Sequence, residues 1–137
     1  MRADRFLSNS AWSGLIALTM TPVLFSAGPK VERSLFPVVD HVEIHSETLT
    51  EDGVSFFVSF DKVRGCEFLG VAWYSGAVRV GVEFEPGANL YPRTRPEGDQ
   101  YAGPWLVRDV TTLEGTRAVA MHRCHPLWET NTTFYEG

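Results

Sequence analysis

The first hydrophobic feature of the chain is an uninterrupted apolar run near its start. Residues 11–27 read AWSGLIALTMTPVLFSA, and these seventeen positions carry no charged side chain. In a helix they would rise about 25 Å, somewhat less than the roughly 30 Å hydrocarbon core of a bilayer. Basic residues flank the run, with Arg2 and Arg5 before it and Lys30 and Arg33 after it. The pattern predicts a single hydrophobic helix that enters a membrane.

Three interpretations of this helix are open. A core helix of a soluble protein would carry a polar stripe, which the run lacks. A cleaved signal peptide fits the basic start, but Phe-Ser-Ala at 25–27 is a poor small-x-small cleavage site. An uncleaved signal anchor needs no such site, and we favour it. We therefore predict an anchor over 1–27, a stalk over 28–37 and an extracytoplasmic domain over 38–137, in a single-pass membrane protein.

Beyond residue 37 the hydrophobic pattern changes to a period of two, which is typical of half-buried strands. The clearest alternation is VRVGVEF, between Val78 and Phe84. Residues 86–104 are rich in Pro, Gly, Arg and Asp, and are expected to form one long loop. Seven short strands and no helix after residue 30 predict an all-β fold, an antiparallel β-sandwich that is immunoglobulin-like in general architecture. The expected strands are 38–45, 54–61, 66–74, 78–85, 105–112, 116–125 and 130–135.

Two cysteines, Cys66 and Cys124, are the only thiols and lie 58 positions apart, 124 minus 66. This spacing excludes a CxxC redox motif, and two cysteines are too few for a typical structural zinc site. Outside the cytoplasm the pair predicts one disulfide, and two separate buried thiols are the alternative. Immunoglobulin bridges join the second and sixth strands, whereas this pair falls on the third and sixth predicted strands. Trp73 is expected to pack near the bridge.

The charge balance narrows the classes of partner. The formal net charge is −5, lysine occurs only at Lys30 and Lys62, and the arginines are scattered. A nucleic-acid-binding protein would normally carry a basic stripe, so this class is disfavoured. The chain also lacks a Gly-rich phosphate loop, a GxSxG elbow and an HExxH motif, and no cofactor is predicted.

The most suggestive metal-binding pattern is His41-Val42-Glu43-Ile44-His45. On a strand, alternate residues point the same way, so two imidazoles and a carboxylate could face one ion. The alternative is the solvated face of an edge strand. Fully extended, His41 and His45 would lie about 13 Å apart at Cα, too far for one ion without a bend.

A second group of reactive residues is His122-Arg123-Cys124-His125. A Cys–His nucleophile requires a free thiolate beside an imidazole. Neighbouring residues in a strand face opposite ways, so only His122 shares the face of Cys124. A disulfide at Cys124 would remove the nucleophile, so histidines that flank a bridged cysteine are the favoured interpretation.

The region 85–105 is the predicted recognition surface, because aromatic and arginine side chains are common interface anchors. An ordinary loop whose aromatics pack on the core is the alternative. The candidate partner-binding residues are Tyr91, Arg93, Arg95, Tyr101 and Trp105.

Three runs of sequence, MHRCHPLWETNTTFY at 121–135, GCEFLGVAWY at 65–74 and QYAGPWLV at 100–107, resemble small uncharacterised single-span proteins of bacteria and their phages. The resemblance implies an exported β-domain behind one membrane segment and transfers no activity. Two functional hypotheses follow. The favoured one is a non-catalytic, membrane-anchored envelope module that binds a protein or envelope component, or the same domain secreted after cleavage. The other is a metal-dependent or hydrolytic enzyme that uses His41, Glu43 and His45, or His122.

Overall fold

The chain forms one long N-terminal helix followed by β-strands. The computed structural model describes residues 2–84 and 94–137, with side chains from residue 12 onward. Within those ranges there are eight strands. The elements are α1 (Arg2–Leu35), β1 (Val39–Thr50), β2 (Gly53–Lys62), β3 (Glu67–Ser75), β4 (Val78–Val80), β5 (Val82–Phe84), β6 (Gly98–Arg108), β7 (Thr116–Arg123) and β8 (Thr130–Glu136).

The strands form two four-stranded sheets in which every neighbouring pair is antiparallel. One sheet has the order β1-β2-β6-β5 and the other β4-β3-β7-β8. In immunoglobulin terms these orders correspond to A-B-E-D and C′-C-F-G. The structure therefore confirms the predicted antiparallel sandwich with an N-terminal helix.

The core lies between the two sheets and follows the period-two pattern. In β2, Val54, Phe56 and Val58 point inward, while the intervening residues are partly exposed. Phe56 packs against Trp73 of the opposite sheet at 5.3 Å between ring centroids, and against Trp105 at 6.0 Å. Buried aromatic rings on both sheets thus account for much of the apolar area removed from water.

The prediction of a single strand over 78–85 is wrong, because this segment contains two short strands. Its first half, β4, pairs with β3, whereas its second half, β5, pairs with β6 of the other sheet. The chain changes sheets at Gly81, whose carbonyl accepts a hydrogen bond from the Arg108 backbone N–H at 2.9 Å. Alternation defines which way side chains point, but not which strand lies alongside.

The predicted loop is also too long at its C-terminal end, because β6 begins at Gly98 rather than Trp105. Gly103 has a φ of +125° and lies so close to the Phe56 carbonyl that a Cβ would be 2.9 Å from it. This region faces a register shift between Phe56 and Val58, and the pairing of β5 within the described residues runs from Val107 to Trp105. Glycine and proline are tolerated in a strand at such an interruption of the ladder.

The two cysteines form a disulfide with an S–S distance of 2.08 Å. Cys66 directly precedes β3 and Cys124 directly follows β7, so the bridge joins neighbouring strands of one sheet rather than the two sheets. The expectation that Trp73 packs near the bridge is wrong. Trp73 lies seven residues along β3 from Cys66, roughly 23 Å at strand rise, and packs on Phe56 and Tyr135.

The stalk expected at 28–37 is helical over most of its length, because α1 continues through Pro29 to Leu35. Glycine and proline suggested a helix end, but Gly28 has a different role. A Cβ at Gly28 would lie 2.8 Å from the Cη2 atom of Trp128. The absent side chain lets the indole ring approach the helix closely.

Candidate functional site at the helix junction and the outer sheet face

The last turns of α1 are attached to the sandwich through the carboxylate of Glu32. The indole N–H of Trp128 donates to Oε2 at 2.7 Å, and the His125 Nε2 lies 3.1 Å from the same oxygen. The Arg64 guanidinium donates to Oε1 at 2.9 Å. The Glu32 side chain is only 11% exposed. Both of its oxygens are therefore engaged, as a nearly buried carboxylate requires.

Apolar packing extends this attachment toward the membrane segment. Phe25 meets Trp128 edge to face at 6.0 Å between ring centroids, and Gly28 receives the rim of the same indole. We call this group the helix junction, defined as Phe25, Gly28, Glu32, Arg64, His125 and Trp128. Farther along, Arg33 donates to the Thr133 hydroxyl of β8. The helix is thus held to the domain along its last three turns.

The environment of Glu32 stabilises its charged form. Burial raises the pKa of Glu32, but hydrogen bonds from Trp128, Arg64 and His125 outweigh it and lower the pKa to about 2. Glu32 follows the uncharged run 11–27 and is enclosed by the sandwich, so it lies outside the segment that would face lipid. The carboxylate is consequently an ionised anchor point over the whole physiological pH range.

The same end of the core contains further buried polar side chains, among them Lys62 and His122. The amino group of Lys62 donates to the Cys66 carbonyl at 3.0 Å, and burial, together with the charge of Arg95, lowers the pKa of Lys62. His122 is 3% exposed, and its Nδ1 atom has no hydrogen-bond partner among the residues that the structure describes. Burial and the charge of Lys62 lower the pKa of His122 to about 4. His122 is therefore a neutral core residue, without the access to solvent that hydrolysis would need.

The predicted metal ligands are not brought together. His41 adopts a φ of +47° at a bulge in β1, and its Nδ1 lies 2.9 Å from Asp61. His45 instead bonds the Ser59 hydroxyl through Nε2 at 2.7 Å, with Glu43 at 4.0 Å. Among the residues that the structure describes, no group of three His, Cys, Asp or Glu side chains is close enough to hold a metal ion.

The outer face of the β1-β2-β6-β5 sheet carries an exposed aromatic stack. Tyr101 projects into solvent and lies nearly parallel to Phe57, with ring centroids 5.7 Å apart. His45 stacks on Tyr101 as well, at 6.2 Å. We call these three residues, together with Ser59, the aromatic face.

Acidic side chains border the aromatic face. Asp61 and Asp99 are directly opposite each other on β2 and β6, and Glu43 lies beside His45. Like charges at opposing positions destabilise a sheet, and the Nδ1 atom of His41 lies 2.9 Å from a carboxylate oxygen of Asp61. The aromatic face therefore lies in a negative field that a cation would relieve.

The five residues predicted to bind a partner occupy different environments. Tyr91 and Arg93 lie outside the described residues. Arg95 is half-buried, and its charge helps to lower the pKa of Lys62. Tyr101 belongs to the aromatic face. Trp105 is buried, with its ring packed among Phe56, Phe84 and Phe134, and its role in partner binding stays a prediction.

Sequence reasoning missed the helix junction. Its signal was a lone carboxylate, Glu32, placed between Lys30 and Arg33 just after the apolar run. Its partners Arg64, His125 and Trp128 lie 32, 93 and 96 positions away, so no local pattern connects them.

The helix contains one stretch, Trp12–Leu35, that is long and apolar enough to cross a membrane, and its apolar window is not buried in the protein. Such a helix near the N-terminus could be a membrane anchor or a signal sequence. No family model, curated protein or solved structure matches this chain. The resemblance to single-span bacterial and phage proteins therefore stays a prediction.

Proposed function

We propose that this protein is a membrane-anchored, non-catalytic binding module whose sandwich lies outside the cytoplasm. The helix junction is the observation that carries the proposal. Phe25 lies within the uncharged run, yet it packs against Trp128 of the sandwich. A signal peptide is removed from the mature protein, so its residues need no matching surface on the folded domain. A fitted surface for the end of the run supports an uncleaved anchor.

The disulfide supports the location of the sandwich. Disulfides persist in oxidising compartments and are rare in the cytosol. The bridge also lies beside the junction, since Cys124 directly precedes His125. A domain that leaves the cytoplasm behind an uncleaved helix would form this bridge on the far side of the membrane.

Intact mass and membrane fractionation of the full chain test the anchor. We expect the protein in the membrane fraction with residues 1–27 retained. Phe25→Ala is the matched control, because it creates Ala-Ser-Ala at 25–27, a good small-x-small site, and removes the contact with Trp128. This variant should be released in part as a soluble domain. A wild-type chain that begins at Gly28 in the soluble fraction would overturn the anchor.

The aromatic face is the surface that we propose for the partner. Exposed tyrosine is a common interface anchor, and the neighbouring Asp61, Asp99 and Glu43 favour a partner with positive charge. We therefore propose that the face binds an exposed basic segment of another envelope protein. Binding should weaken as salt rises, because these carboxylates are exposed to solvent.

Cross-linking in native membranes tests the face. Tyr101→Ala should abolish the adducts that the wild-type chain forms, and Asp99→Asn should make the remainder less sensitive to salt. Val78→Ala is the matched control, because Val78 is an equally exposed apolar residue on the other sheet. Identical adducts from wild type and Tyr101→Ala would rule out the aromatic face as the binding surface.

A further inference from the structure

Three exposed apolar side chains lie at the end of the sandwich where the disulfide lies. Phe36, Val63 and Leu127 are all exposed, although each is next to a well-packed element. The Phe36 carbonyl accepts a hydrogen bond from Arg64, the neighbour of Val63, and Leu127 precedes Trp128. The three therefore surround the helix junction, and in water they would leave apolar surface hydrated.

The junction fixes how far this end lies from a membrane. Trp128 contacts Phe25, which is inside the uncharged run 11–27, and it also contacts Gly28 just beyond the run. If the run crosses the hydrocarbon core, the tip of the 124–129 turn must lie level with the end of that run. This holds for any tilt of the helix, because tip and helix are in direct contact.

The chemistry of this end fits the headgroup region of a bilayer. Tryptophan is enriched where the hydrocarbon meets the headgroups, and Trp128 lies at that level. Lys30, Arg33 and Arg123 are exposed near the junction, where Arg33 also donates to Thr133 and Arg123 lies 3.5 Å from Glu67. Apolar tips ringed by basic residues are the pattern of a surface that rests in a membrane interface.

The opposite end of the sandwich also exposes apolar side chains, among them Leu49 and Val78, but it lies away from the helix junction. β3 starts beside Cys66 and ends at Ser75, so the turn that leads into Val78 lies at the far end. Val78 is 67% exposed there and Leu127 is 56% exposed at the junction end. The two residues are therefore matched in chemistry and exposure but lie at opposite ends.

We propose that the end of the sandwich formed by Phe36, Val63 and Leu127 binds the phospholipid headgroup layer, so that the domain lies directly on the membrane rather than on a flexible stalk. This proposal rests on the proposed membrane anchor. The partner of this end of the sandwich is the lipid surface itself, because this end is continuous with the helix that would enter the bilayer.

A photo-cross-linking amino acid placed at position 127 or 78 of the full chain tests the inference. Each chain is reconstituted into vesicles of phosphatidylcholine and phosphatidylglycerol and illuminated, and lipid adducts are measured by mass spectrometry. We expect severalfold more lipid adduct from position 127 than from position 78. Non-reducing mass analysis of the same sample verifies that the Cys66–Cys124 bridge, and hence the fold, is intact.

The possible outcomes separate the two proposals. Equal, low adduct formation at both positions in a chain that retains residues 1–27 and is integrated into vesicles would overturn the lipid-contact surface alone. A chain that fails to integrate, or that has lost residues 1–27 in its membranes of origin, would overturn the anchor and this inference with it.

Discussion

The two ends of the sandwich are stabilised in different ways. At the far end, the fully buried Trp73 donates its indole N–H to Thr116 at 2.9 Å, and the same hydroxyl donates to the Leu113 carbonyl at 2.6 Å. Buried polar groups there are paired within an apolar setting. The junction end instead contains the disulfide, the ionised Glu32, the buried Lys62 and His122 with an unpaired nitrogen.

The buried polar groups that are costly in free energy are therefore found at the junction end. Burial of charged or polar groups lowers the free energy of unfolding unless the groups are paired and hydrogen-bonded. At the junction end these groups lie where α1 joins the domain, which is the part of the molecule that our proposal places at the membrane. The far end is packed as an ordinary core, whereas the junction end contains the polar contacts that attach α1 to the sandwich.

Removal of the disulfide should produce the largest effect and should weaken mainly the junction end. In the chain-entropy model, a bridge that closes a 58-residue separation contributes about 4 kcal/mol to the free energy of unfolding. Denaturant unfolding of Cys66→Ala/Cys124→Ala in detergent measures this loss. Amide exchange should rise near 62–68 and 122–130 before it rises near Trp73; a uniform rise would show that the two ends do not differ.

Acidification should destabilise the junction end through His122. The pKa of His122 is about 4 in the folded chain, below its ordinary value of 6.5, so the unfolded chain binds the proton first. The free energy of unfolding should not depend on His122 protonation above pH 6.5, and it should fall by roughly 3 kcal/mol as the pH drops to 4. Thermal unfolding across this range measures the slope.

His122→Phe should flatten this pH dependence, because it removes the titrating group and fills similar space beside Phe68. His41→Phe, at an exposed histidine, is the control, because it introduces the same side chain away from His122. An unchanged slope in His122→Phe would mean that another group sets the pH dependence.

Glu32→Gln should loosen α1 from the sandwich while leaving the far end intact. Loss of the charged acceptor should cost about 2 kcal/mol of attachment, the scale of hydrogen bonds to a charged group. Because the pKa of Glu32 is about 2, below its ordinary value of 4.5, the wild-type attachment should be complete above pH 4.5 and lost as the pH falls toward 2.

Tryptophan fluorescence and proteolysis between α1 and β1 would report this loosening. Glu129→Gln is the matched control, since Glu129 is an exposed glutamate adjacent to Trp128. If the two variants behave alike, the carboxylate of Glu32 does not hold the junction.

Tyr101→Ala should have the smallest effect on stability, below about 1 kcal/mol, because the ring is exposed and loses only its stacking on Phe57 and His45. Urea unfolding of the variant measures it. A loss of several kcal/mol would assign Tyr101 to the fold rather than to recognition.

Much of the sandwich could be predicted from local pattern. The alternation of Val54, Phe56 and Val58 reports directly on burial between two sheets, and the Asp52-Gly53 turn places β1 beside β2. The hydrophobic pattern did not predict which strands pair with each other. Nothing local to Gly81 indicates that the chain changes sheets there, and Gly103-Pro104 resembles a loop until the register shift opposite Phe57 is known.

The helix junction could not be predicted for a related reason. Gly28 and Pro29 are helix-ending residues by local preference, but here the close approach of Trp128 and the bonds to Glu32 override that preference. These contacts join residues almost a hundred positions apart. The candidate metal residues failed in the opposite way: His41, Glu43 and His45 are close in sequence, but the bulge in β1 turns His41 toward Asp61.

Amide hydrogen exchange of the full chain in lipid nanodiscs tests the central claim, that the anchor is rigidly attached to the sandwich. Residues 28–35 should be protected in the wild-type chain to the same order as β8, and Glu32→Gln should remove that protection while residues 70–75 keep theirs. Rapid exchange of residues 28–35 in the wild-type chain, as expected of a flexible stalk, would contradict the account.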